Sequence, residues 1–383
     1  MYTYEEVKTF IEEEDVKFIR LAFCDLSGQQ KNISINPSEL DKATRCGIPF
    51  DASAIDGFGD AVGRDLFLKP DLTTLSVLPW RPATGRVVRM FCDIYEADGK
   101  PFDRDCRAIL KQAILRAKEA GVHCRFGTQT EFYLFLTDEN GAATKVPFDN
   151  AGYMDIAPQD KGENVRREIC FTLQNMGIPY ESSHHEEGPG QNEIDFAASD
   201  PLRAADNAVT FQSVVKTMAR RDGLWADFSP LPLENAPGSG MHIHIALENH
   251  REAFMAGVLQ HIREITYFLN PTEDSYKRLG RHKAPGMISW GAQSREALLR
   301  IPAADEQGFE VRSPDAGANV YLAFALLISA GVDGVQNGRS LPDHDHHTSG
   351  KVQNLPKSLK EAKACARQSE FVKSVLPTSF FEN

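Results

Sequence analysis

Apolar residues first recur at helical spacing in YEEVKTFIEE, residues 4–13. They then alternate with polar ones in VKFIRLAFCDLSGQQKNISI, which predicts two strands joined by the SGQQ turn. Residues 47–85, punctuated by Gly and Pro, read as loops, and VVRMFCDIY returns to a strand closed by the turn in EADGKPF. A boundary near residue 100 then separates a small α+β unit, 1–100, from a larger one, 101–383. The larger unit opens on the helix DCRAILKQAILRAKEAG, with Gly121 past its end. Strand and helix patterns follow in turn: TQTEFYLFL, a long helix within 201–221, GMHIHIAL, the helix in AFMAGVLQHIREITYFL, ALLRIP, FEVRS and the apolar helix in ANVYLAFALLISAGVDGV. The predicted class is α+β.

Side chains i and i+2 of a strand share a face. On that rule Gln129 joins Glu131, His184 joins Glu186, Glu193 joins Asp195, His242 joins His244, and Glu310 joins Arg312. The opposite positions are largely apolar and anchor each strand, so the charged faces meet water, ions or ligand. One such strand is a solvated polar face. Together these faces offer carboxylate and imidazole in a proportion that suits Mg²⁺ or Mn²⁺ better than a closed zinc site. Arg278, Arg295, Arg300 and Arg312 form a second set, either surface ion pairs or the planar donors that bind carboxylate and phosphate. Neither GxxxxGK[ST] nor GxGxxG after a strand is present, so a nucleotide would be held by other means.

Composition narrows the partners. Lys and Arg number 42 against 54 Asp and Glu, a net charge of −12 without a basic run, which argues against nucleic acid and anionic membranes as partners. The seven cysteines lack a CxxC pair and suit free thiols. The acidic, amphipathic N-terminus and the lack of a long apolar stretch predict a soluble cytoplasmic protein. HDHH at 344–347 reads as an exposed loop or a metal-binding tract.

Nearly end to end, the motifs resemble the glutamine synthetase family. IRLAFCDLSGQ, GIPFDASAIDGF, DLFLKPDLTTLSVLPW and FCDIYEADGKPFDRDCRAIL carry the likeness in the first unit. TEFYLF, SHHEEGPGQNEIDF, GSGMHIHIAL, NPTEDSYKRL, SREALLRIP and EVRSPDAGANVYLAFALLISAGVDG carry it in the second. The resemblance implies a β-grasp-like N-terminal domain followed by a catalytic domain with a curved antiparallel sheet flanked by helices. It implies homo-oligomeric rings, a dodecamer or a smaller ring, with sites completed by the neighbouring subunit. Its reaction joins ammonia to the γ-carboxylate of glutamate through a γ-glutamyl phosphate, using ATP and Mg²⁺ or Mn²⁺. Carried over by motif, Glu131, Glu186 and Glu193 would hold the first metal, and His242 and Glu310 the second. His244 would lie near the ATP phosphates, and Gly238 and Arg278 would bind the amino acid. Arg295, Arg300 and Arg312 would bind phosphate, and Asp51 would bind ammonium across the subunit interface. Glu187 and Asp195 receive no role, and His184 and His185 supporting ones.

Several positions depart from the family pattern. Gln129 replaces a second-metal glutamate, Lys283 a glutamate of the flap over the site, and Pro237 an asparagine before Gly238. Ala246 and Gly308 replace side chains that contact ATP, an insertion after GMHIHIAL is omitted, and the chain stops short of the usual terminal helices. Two readings follow: a ligase acting on glutamate with ammonia or another amine, or a relative impaired in catalysis with a binding, regulatory or structural role.

Overall fold

A computed structural model of the protein describes residues 2–59, 64–303, 307–342 and 353–381. The HDHH tract at 344–347 lies outside them. Helix α1 (Tyr4–Glu13) starts at a capping box in which the Thr3 hydroxyl and the Glu6 carboxylate each accept the other's backbone N–H, and it buries Val7 and Ile11, one turn apart. Strands β1 (Val16–Cys24) and β2 (Gln30–Ile35) form the expected hairpin, followed by α2 (Leu40–Arg45). Three short strands then occupy a stretch read from the sequence as loops: β3 (Ile48–Asp51), β4 (Asp65–Pro70) and β5 (Ser76–Val77). Their pattern is broken by prolines, and Pro49 is tolerated because β3 is an edge strand. With β6 (Arg86–Tyr95) they complete a six-stranded sheet of order β2-β1-β6-β4-β3, in which β5 also pairs with β6. Only the β1–β6 pairing is parallel.

Helix α3 (Cys106–Glu119), capped by the Asp105 carboxylate, leads into the second sheet. Its longest strand, β7 (Cys124–Thr137), pairs with β8 (Ala143–Pro147), β10 (Gln191–Phe196), β11 (Leu224–Asp227) and β12 (Met241–Leu247). Outer strands β9 (Tyr180–His185), β13 (Trp290–Ala292), β14 (Leu299–Ile301) and β15 (Gly308–Val311) complete the order β13-β14-β15-β12-β7-β10-β9. The helices are α4 (Glu163–Asn175), α5 (Pro201–Arg221), α6 (Arg251–Leu269), α7 (Glu273–Arg278), α8 (Val320–Gln336), α9 (Leu359–Gln368) and α10 (Glu370–Val375). Among the described residues no helix is long and apolar enough to cross a membrane, and the seven cysteines are unpaired.

The back of this sheet is apolar. Phe132, Leu134, Ile194, Ile243, Ile245 and Phe309 are fully buried there, and α8 packs on it with Phe324 4.6 Å from Phe126. Helices α6 and α8 meet backbone to backbone: a Cβ on Gly334 would lie 2.1 Å from the Ala253 carbonyl, and one on Gly257 2.1 Å from the Ala330 carbonyl. The front alternates with the back and is polar, so the α+β class and the face assignments read from the sequence agree with the fold.

A buried ion network joins the two sheets. Arg107 of α3 donates to Asp206 of α5 (3.1 and 2.9 Å), to Asp93 of β6 (3.0 Å) and to Asp71 (2.9 Å). Tyr321 of α8 donates to Asp206 as well (2.7 Å). Arg107 is 4% exposed, so its loss leaves Asp206 without a cationic partner and Asp93 and Asp71 with Lys111 alone. Arg107→Ala is expected to destabilise the protein by about 3–5 kcal/mol, read from the urea midpoint, because one partner of a buried charge network is removed.

Candidate active site

The antiparallel register of β7 and β10 sets Glu131 directly opposite Glu193, and Gln129 opposite Asp195. On its other side β7 presents Gln129 to His242 of β12. One ligand atom each from Glu131, Glu193 and His242 lies within 4.8 Å of the others. Like charges directly opposite on neighbouring strands repel, and burial adds to the cost. Burial, followed by the charge of Glu186, pushes the Glu131 carboxyl up to about 7 against the stabilising N–H of Gly240 at 2.8 Å. Burial pushes Glu193 up as well. Burial and then Arg312, Arg278, Arg300 and Arg295 press His242 well below the usual imidazole range, leaving the neutral ring that a cation binds. Two oxygen donors and one neutral nitrogen around a repulsive pocket fit a hard divalent cation.

The hairpin that brings Glu186 and Glu193 to this face is braced from behind. His185, fully buried, donates from Nδ1 to the Glu186 carbonyl (2.7 Å) and from Nε2 to Asp149 (2.9 Å). Asp149 also accepts from the N–H of Gly190 (3.0 Å). Although burial opposes it, this pairing raises the His185 pKa. His184 is pushed up to about 9, first by its contact with Glu193. Glu186 follows the end of β9 and lines the cavity, outside the Glu131–Glu193–His242 cluster.

Glu310, expected with His242 at a second metal, is paired with arginines in this structure. Pairing of β14 with β15 places Arg300 opposite Glu310. Glu310 accepts from Arg300 at 2.8 and 3.0 Å and from Arg312 at 3.1 Å, so its charge is taken up by guanidinium groups. His244 faces Glu310 across β12 and β15 and is not among the residues lining the cavity. Arg278, Arg295, Arg300 and Arg312 all line the cavity, whose volume is about 1060 Å³. That exceeds the range of ordinary single-ligand pockets.

At the other end Gly238 packs against Arg278. A Cβ there would sit 2.4 Å from the Pro230 carbonyl and 2.9 Å from Cγ of Arg278, so only glycine fits. Arg278 is buried and donates to the Ser313 carbonyl (2.9 Å). Tyr133 donates to the Pro237 carbonyl (2.6 Å), and Gln191 donates to both Glu131 and the Gly238 carbonyl (3.2 Å each). Pro237 therefore contributes its backbone oxygen to holding this loop. Lys283 reaches from the strap after α7 to form an ion pair with Glu187, its ammonium 5.8 Å from the Tyr153 ring. Asp51 is exposed, caps the turn at Ser53 and does not line this chain's own cavity. Sequence reasoning gave no part to Asp149 or Tyr133 and none to Glu187. The alternation of QNEIDF places Gln191 on the face of Glu193 and Asp195, and the structure has it lining the cavity with them.

Two family models match: glutamine synthetase, beta-Grasp domain, over residues 15–97, and glutamine synthetase, catalytic domain, over residues 103–383. A glutamine synthetase of Clostridium saccharobutylicum is 41% identical over all of this chain and 93% of its own length. One from Methanosarcina mazei is also 41% identical, over all of this chain and 92% of its own. Among solved structures, a GmaS/ADP complex superposes with a TM-score of 0.88 at 27% identity, covering 97% of this chain and 92% of that one. The Plasmodium falciparum glutamine synthetase, at 21% identity, shares the fold with a TM-score of 0.87, covering all of this chain and 93% of that one. With both family models matched in order and full-length relatives near 40% identity, the chain belongs to the glutamine synthetase family.

Proposed function

We propose that the protein is an ATP-dependent ligase that joins ammonia, or another amine, to the γ-carboxylate of glutamate. What carries this reading is the buried Glu131–Glu193–His242 cluster facing Arg278, Arg295, Arg300 and Arg312 in one cavity. The γ-carboxylate attacks the γ-phosphorus of ATP and ADP leaves. The amine then attacks the acyl carbon of the γ-glutamyl phosphate and phosphate leaves. Both steps depend on positioning and charge neutralisation. Glu131, Glu193 and His242, with Glu186 at the edge, would hold Mg²⁺ or Mn²⁺, which neutralises charge on phosphate oxygens when bound. Glu310 presets Arg300 and Arg312, which would hold the transferring phosphoryl group together with the exposed Arg295. Arg278 and Gly238 would fix the amino acid, and His244 would lie toward the nucleotide.

A ring of identical subunits, a dodecamer or smaller, is supported by the cavity rim. Tyr153, Met154, Ile156 and Phe171 are 45–74% exposed there, an apolar surface suited to a neighbour's cover. Asp51 would act in that neighbour's cavity. The reading of an impaired relative draws on Gln129, Pro237, Lys283 and Gly308. It has less support, since the acidic cluster and four arginines share one cavity and Glu187 takes up the Lys283 charge.

Purified protein given ATP, glutamate, Mg²⁺ or Mn²⁺ and a panel of ammonium and primary amines is expected to release phosphate and form a γ-glutamyl amide. Glu131→Gln should lower that rate by more than about 100-fold, beyond the cost of losing an outer-shell partner. No product with any amine, from folded and assembled protein, would overturn the ligase reading. Lys283→Gln leaves Glu187 unpaired at the rim, so the KM for ammonium should fall up to about fivefold at low salt and return toward wild type at high salt, as for an exposed pair.

The elevated Glu131 pKa sets a pH window. Raised from 4.5 to about 7, the group keeps in the folded state a proton that the unfolded chain releases, so metal-free stability falls as pH rises from about 4.5 through 7. A bound cation needs the deprotonated carboxylate. The rise in Tm on adding Mn²⁺ should therefore be small at pH 5.5 and larger at pH 8, measured by scanning fluorimetry.

A further inference from the structure

We propose that a second divalent cation sits between His184, Glu193 and Asp195, on the β9–β10 side of the cavity, with Asp195 supplying the carboxylate that Gln129 and Glu310 do not. The inference rests on the ligase reading only in needing divalent cations at this cavity. Three observations carry it. Ligand atoms of these residues lie within 4.8 Å of one another, and all three side chains line the cavity. Asp195 is 7% exposed; its Oδ2 accepts from the Ser182 hydroxyl, while its buried Oδ1 has no hydrogen-bond partner. A buried carboxylate oxygen without a donor is costly, and a cation held beside Asp195 would offset that cost.

The third observation is the His184 ring. Its Nδ1 donates to the His185 carbonyl (3.1 Å), which puts the lone pair of the neutral ring on Nε2, and Nε2 lies 3.4 Å from the Glu193 carboxylate. A lone pair facing a carboxylate needs a positive partner, a proton or a metal ion. The strand registers explain why the ion belongs here. Asp195 stands directly across from Gln129, which brings an amide where a charge is needed, and Glu310 is held by two arginines. Glu193 belongs to both clusters, so it would bridge the two ions, as shared carboxylates do in two-metal phosphoryl-transfer sites. Two carboxylates and one imidazole, completed by water or phosphate oxygen, suit Mn²⁺ or Mg²⁺.

Full-length protein stripped with a chelator is titrated with Mn²⁺, and free aquo-Mn²⁺ is followed by electron paramagnetic resonance. Wild type is expected to take up two ions per chain. Asp195→Asn, of the same shape, and His184→Gln should each lose one ion or weaken it by more than the roughly 10- to 100-fold cost of an outer-shell change. Glu310→Gln should keep both. Circular dichroism and size-exclusion chromatography report folding of each variant, so a misfolded Asp195→Asn leaves His184→Gln to decide. If folded Asp195→Asn and His184→Gln keep two ions at unchanged affinity, or Glu310→Gln loses one, the second site is wrong while the ligase reading stands. If wild type binds no Mn²⁺ and makes no amide, the ligase reading fails with it.

Discussion

Two glutamates held face to face inside a sheet are the constraint around which this chain is organised. Glu131 and Glu193 have no freedom to separate, because Phe132 and Ile194 beside them are locked into the apolar back of the same strands. The repulsion is therefore built in at folding, and its relief is left to whatever cation enters the cavity. Neighbouring features follow from that arrangement. His242 stays neutral among arginines, His184 turns Nε2 toward Glu193, and the hairpin loop after β9 is pinned by the Asp149–His185 pair so that the carboxylates keep their register. Electrostatic catalysis depends on such prepaid organisation, since charges fixed before the substrate arrives need no rearrangement during reaction.

The opposite wall uses the complementary device. Glu310 spends its charge holding Arg300 and Arg312 in place, a structural use of a carboxylate among cations that mirrors the carboxylates awaiting a cation a few strands away. Between them the cavity is lined by carboxylates as well as by guanidinium groups. The Arg107 network ties the smaller sheet to the helices behind the larger one.

Much of this was legible in the sequence because strand alternation is a local property. The polar faces of TQTEF, QNEIDF, GMHIHIAL and FEVRS follow from counting by two, and each is a front-facing strand in the fold. What counting cannot supply is which strands touch. The capture of Glu310 by Arg300 depends on the β14–β15 register, and the pairing of Glu187 with Lys283 joins residues 96 apart in the chain. Asp195 gained significance only once Gln129 stood across from it. The strands between residues 47 and 85 were hidden by their prolines and short length, and nothing local to its helix marks Arg107 as the buried cation on which three carboxylates converge.

The glycine contact between α6 and α8 bears on where such a protein can diversify. Backbones that touch through Gly257 and Gly334 leave no room for a side chain of any size, so this layer tolerates no gradual retuning. It fixes the back of the sheet as a datum. New specificity is more readily written in the rim, where Lys283, Glu187 and Tyr153 are exposed in this chain and none is packed into the core. The rigid rear is thus what makes the front of the molecule evolvable.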